Sequence, residues 1–146
     1  MNETWNEMFA FMDRLGAVLD DMTAIQREKA DAVLRDDLLA VDGCMKREQA
    51  ITLSLRSMDQ KRSKLLNALG LGDVAASSLP ALCPAEKRAE AKAASEKLLQ
   101  RFGVYRSAAD AARTVLEVNL HQIEKIIETR SDGVSETGSG LADIRA

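Results

Sequence analysis

Aromatic residues are nearly missing: three Phe, one Trp and one Tyr make up 3% of the 146 residues. Pro80 and Pro84 are the only prolines, and only Gly16, Gly43, Gly70, Gly72 and Gly103 precede Gly133. A sandwich, barrel or dinucleotide-binding α/β unit needs turn punctuation at every connection, so those folds are excluded. No apolar run approaches the roughly 20 residues that cross a bilayer. The opening stretch carries Glu3, Glu7, Asp13 and Asp20 instead of a basic and then apolar leader. The expectation is a soluble, cytoplasmic protein with no membrane insertion. Charge of one sign is absent too. Twenty basic residues stand against 23 acidic ones for a net of −3, with no basic block to neutralise a phosphate backbone, and nucleic acid is not an expected partner.

Reactive chemistry is equally thin. Cys44 and Cys83 read as reduced core thiols, because a chain of this size needs no bridge. A di-metal helical site needs a Glu-x-x-His pair on two helices. Here His121 is the only histidine and Val118, not Glu, stands three residues before it. No phosphate-cradling glycine run and no nucleophile elbow occurs. No catalytic residue, metal or cofactor is assigned, and an enzyme is not expected.

What is abundant is helix former: 22 Ala and 18 Leu. Together with the shortage of strand formers this predicts an all-α chain, an elongated antiparallel three-helix bundle with coiled-coil character. Met8, Met12, Leu15, Leu19 and Met22 alternate steps of four and three, a heptad seam over a first helix from about 3 to 34. Asn2 or Thr4 is the expected N-cap, with Glu7 completing a capping box from Thr4. Phe9, Ala10 and Phe11 put apolar surface on more than one side of the first turns.

The apolar phase shifts at Arg35-Asp36-Asp37, where either aspartate can cap a new helix; a single continuous helix is the competing reading, since no Gly or Pro forces a turn. The second helix, 37–69, has the seam Val41, Cys44, Glu48, Ile51, Leu55, Met58, Arg62, Leu65, Leu69, and Gly70-Leu71-Gly72 stops it. Asp73 to Pro84 reads as a connector with one helical turn at Ser78–Leu82. A third helix, 85–130, has the seam Leu98, Phe102, Tyr105, Ala109, Ala112, Leu116, Asn119, Ile123, Ile126. Its first turns lack large apolar groups and need not be tightly packed. The whole of 1–131 is expected to be one helical domain, and 132–146, rich in Gly and Ser, a flexible tail.

Three polar residues interrupt apolar seams: Glu48, Arg62 and Asn119. Such positions lower stability but fix register and partner. Glu48 and Arg62 lie about 21 Å apart along one helix and must find different partners. Near the end of the third helix Val115, Leu116, Val118, Leu120, Ile123, Ile126 and Ile127 cover over half the circumference. One packed face cannot hide that much, so the surplus marks a homodimer seam or a groove for a partner helix.

The order Gln26-Arg27-Glu28-Lys29-Ala30, Asp36-Asp37 with Leu39, Lys46-Arg47-Glu48, Arg62 with Leu65-Leu66, Leu69-Gly70-Leu71 and Asn119 before an Ile-rich stretch resembles the FlgN family over residues 15 to 130. The resemblance implies a cytoplasmic chaperone of flagellar type III export that holds hook–filament junction proteins before secretion. Of the partner-binding candidates Leu116, Asn119, Leu120, Ile123 and Ile127, the resemblance carries over to Asn119 alone, and the four apolar residues come from the surplus face of the third helix. Family members often show two asparagines one turn apart in the last helix; here Leu116 occupies the turn before Asn119. They also tend to contact the export apparatus through the C-terminal region, sometimes with an aromatic, and nothing after Tyr105 is aromatic. A structural coiled-coil adaptor, or a homo-oligomer with no export role, is the alternative.

Overall fold

The computed structural model describes residues 1–133. The expected tail lies outside the described residues except at its first positions. The elements are α1 (Asn2–Leu34), α2 (Leu38–Ala68), a short α3 (Leu79–Leu82) and α4 (Arg88–Gly133), with single 3-10 turns at Ala76–Ser78 and Ala85–Lys87. Among the described residues there is no strand, and the fold is all-α.

Both other long helices pack on α1. It meets them with two stripes, Met8, Met12 and Leu19 on the heptad seam and Trp5, Phe11 and Ile25 off it, all buried. One cluster joins Trp5, Met8, Phe11 and Met12 to Leu65, Leu66 and Leu69 of α2, Leu79 and Cys83 of the α3 segment, and Ala91 of α4. The densest packing is therefore at the α1 N-terminus, where every element converges.

The expected capping box does not form. α1 begins at Asn2 with Met1 in the cap position and no side-chain cap bond, and the Trp5 N–H donates to the Met1 carbonyl at 3.1 Å. Burial of Trp5 draws the helix back past Thr4, which becomes an interior first-turn residue.

Two helix ends share one geometry. At α2 the Gly70 N–H donates to Asn67 O at 3.0 Å and the Leu71 N–H to Leu66 O at 2.9 Å, with Gly70 at φ 73°. This is a Schellman cap. At α1 the Asp36 N–H donates to Val33 O at 3.1 Å and the Asp37 N–H to Ala32 O at 2.9 Å. The left-handed residue there is Asp36, φ 54°. An aspartate tolerates that region better than most side chains. Asp37 then caps α2, its carboxylate accepting from the Ala40 N–H at 3.1 Å. The chain breaks between Leu34 and Leu38, and the continuous-helix reading is excluded.

Gly70→Ala places a Cβ in the left-handed region and should cost about 1–2 kcal/mol. Gly103→Ala, in a helix interior with nothing within 4 Å of the new Cβ, should add about 0.5–1 kcal/mol of stability. Denaturant unfolding of the two variants is expected to shift in opposite directions.

Two features of α4 go beyond the sequence pattern. Its start is tightly packed: Ala91 and Ser95 are buried, and Ser95 Oγ donates to Ala76 O at 3.0 Å. Small side chains bring backbones close, so absence of large groups did not mean loose contact. Phe102 is off the packed face, 44% exposed. Its expected place is taken by Arg101, half-buried across Gly16 of α1, where a Cβ would stand 2.9 Å from Arg101 Cδ. Arg101 reaches Asp20 at 3.4 Å and Asp13 at 3.8 Å.

Candidate partner-binding face

The direction of each helix decides what is left uncovered. Lys29 Nζ lies 2.6 Å from Glu48 Oε1 and Arg47 pairs with Glu28, while Met8 and Met12 of α1 share a cluster with Leu65 and Leu66 of α2, so α1 and α2 form an antiparallel hairpin. The Glu28 carboxylate raises the Arg47 pKa further, through a side-chain hydrogen bond first and charge second. Lys87 Nζ donates to Asn6 Oδ1 at 2.8 Å, 81 residues away in sequence, and Lys97 pairs with Asp13, 84 residues away. α4 thus runs in the same direction as α1, at a nearly constant offset. With that offset the end of α1 at Leu34 comes level with residues 115–118 of α4. At 1.5 Å per residue, roughly 17 residues of α4, about 25 Å, project beyond the hairpin.

The seam does not stop where α1 stops. Leu98, Tyr105 and Ala112 are half-buried or buried on the α4 face turned to α1, and Leu116, Asn119, Ile123 and Ile127 continue that face at steps of three and four. Over the projecting segment it lacks the α1 partner. Leu116 is 36% exposed, Ile123 46%, Ile126 54% and Leu120 57%, while Val115, Asn119 and Ile127 are half-buried. The sequence reading missed a second apolar patch at the hairpin tip, where Leu38 and Leu39 are 81% and 86% exposed and Leu34 is 70% exposed. The signal was three leucines flanking Arg35-Asp36-Asp37, legible once the break there is known.

Two of the three polar seam residues, Glu48 and Arg62, find separate partners. Glu48 meets Lys29 of α1, while Arg62 meets Asp73 at 3.1 Å and donates to Val74 O at 2.7 Å. One fixes the hairpin and the other ties the connector to α2. Cys44 and Cys83 are free and buried, and His121 is exposed. Among the described residues no cluster of three or more His, Cys, Asp or Glu side chains is placed to hold a metal ion. Among them, too, no helix is long and apolar enough to cross a membrane.

The family model described as FlgN protein matches residues 1–138. The chain belongs to the FlgN family. FlgN proteins are chaperones of flagellar biogenesis and export, and that general role is carried by the match. No curated protein and no solved structure matches the chain. In this FlgN chain the charges of the two family-like segments, Glu28-Lys29 and Arg47-Glu48, are the ones that clasp α1 to α2. They set the hairpin against which α4 projects.

Proposed function

We propose that this FlgN chain is a cytoplasmic export chaperone for hook–filament junction subunits, built as an elongated antiparallel three-helix bundle with coiled-coil character. The C-terminal helix of a subunit lies beside the projecting end of α4, in the lane that α1 leaves empty. The observation that carries this reading is the continuation of the α4 seam through Leu116, Asn119, Ile123 and Ile127 past the end of α1. A helix of four to five turns would fill about 25 Å of that lane. Covering the subunit's apolar helix blocks the polymerisation contacts that the same helix would make outside the cell.

The reading is tested by titrating the purified chain with the C-terminal helical segment of a junction subunit and, separately, with one from an unrelated coiled-coil scaffold. Binding of the first alone supports it. Equal binding of both, or of the scaffold alone, favours an adaptor.

A further inference from the structure

Among the described residues nothing fills a groove that runs along the flank of α4 beside α1. Arg27 and Ala30 of α1 and Val104, Ser107, Ala108 and Ala111 of α4 line it, around a volume of about 390 Å³. Val104 is 44% exposed, and the small side chains near it let another backbone come close. Val104, Ala108, Ala111, Val115 and Val118 succeed one another at steps of four and three. The α4 wall of the groove is therefore one helical stripe. It continues past the end of α1 into the projecting segment, where Val118 is 54% exposed.

Charge and area say what belongs there. Arg27 stands exposed at the rim, and among the described residues its guanidinium has no ion-pair partner. The carboxylates of the two helices around it are held by other arginines: Asp20 by Arg101 at 3.4 Å, Asp31 by Arg35 at 3.1 Å and Asp110 by Arg113 at 3.8 Å. An occupant that brings its own carboxylate to Arg27 is favoured, and one that brings a cation is opposed. A stable complex covers roughly 800 Å² on each partner, more than one face of the projecting helix supplies. A helix that runs on from the projecting face into the groove gains Val104, Ala108 and Ala111 without leaving α4.

We infer that the subunit helix is held by both surfaces, its outer part on the projecting face of α4 and its inner part in this groove, with an acidic side chain of the inner part on Arg27. The assignment rests on the chaperone reading and states what the chaperone selects. Levels 104 to 133 of α4 correspond to a helix of about 30 residues, roughly 45 Å, where the projecting face alone takes about 17. Length and one carboxylate near the inner end then distinguish a subunit from a shorter or basic amphipathic helix.

Calorimetric titration of the full chain with two peptides from the C-terminal helical segment of a junction subunit, one of about 18 residues and one of about 30, tests the assignment. The longer peptide is expected to bind about tenfold more tightly or better. Arg27→Glu, which sets two carboxylates against each other, and Ala111→Trp, which fills the groove, should each remove that gain and leave the shorter peptide's affinity unchanged. Lysine in place of the carboxylates in the added part of the longer peptide should restore the gain with Arg27→Glu and abolish it with the unaltered chain. Melting curves of both variants should match that of the unaltered chain, since Arg27 and Ala111 are exposed. Equal affinity of the two peptides, or a gain that survives either substitution, overturns the groove assignment and leaves the chaperone reading standing. The same gain from lengthening an unrelated coiled-coil helix overturns the selection through Arg27. Binding of neither peptide overturns the chaperone reading and the assignment with it.

Discussion

Phe11→Ala is expected to destabilise the chain by about 3–5 kcal/mol, which at this size lowers the melting temperature by roughly 10–20 °C. Phe11 is 2% exposed and sits in the cluster where α1, α2, the α3 segment and α4 meet. Its neighbours come from separate elements tied down elsewhere, so the cavity left behind collapses poorly and most of the lost contact is not recovered. Leu38→Ala is the matched control. At 81% exposed it should change stability by no more than about 0.5 kcal/mol. Thermal melts followed by circular dichroism separate the two. Equal effects would mean that the buried cluster is not the stabilising core.

The opposite pattern is expected at the projecting end. Leu120→Asp and Ile127→Asp should leave melting unchanged and weaken junction-subunit binding about a hundredfold. Each removes a side chain whose burial contributes roughly 1.5–3 kcal/mol and sets an unpaired carboxylate against the subunit's apolar face. Glu117→Ala, off that seam, should alter subunit binding little. Calorimetric titration of the three variants checks this. Normal binding by both Asp variants would place the subunit site elsewhere and reduce the end of α4 to scaffold.

The helices were legible because their apolar residues keep a three-and-four rhythm, and the α2 seam from Val41 to Leu69 is buried or half-buried at every position. The Gly70 stop was legible because glycine is the usual left-handed cap. The matching cap at Asp36 carries no glycine, which is why the sequence left a continuous helix open. Phe102 misled because its hydrophobicity outweighed phase. At 3.6 residues per turn the packed face passes through Arg101, and only the bare backbone at Gly16 lets a guanidinium lie there. The surplus apolar surface of α4 was visible in the sequence. Its cause, a helix longer than its partner, required the offset between α1 and α4, which no single segment encodes. The exposed leucines of the hairpin tip escaped notice because their exposure depends on the turn between them.

The central claim is that subunits dock on the part of α4 that α1 does not cover. A bare helical end of about 17 residues is marginal in water and opens readily, so its amides should exchange fast in the free chain. Hydrogen exchange with and without a junction subunit tests the claim most directly. The account predicts protection gained across residues 116–130 and at the hairpin tip, with the buried cluster around Phe11 unchanged. Protection gained on α2 or the first half of α4, with 116–130 exchanging as fast as before, would contradict it.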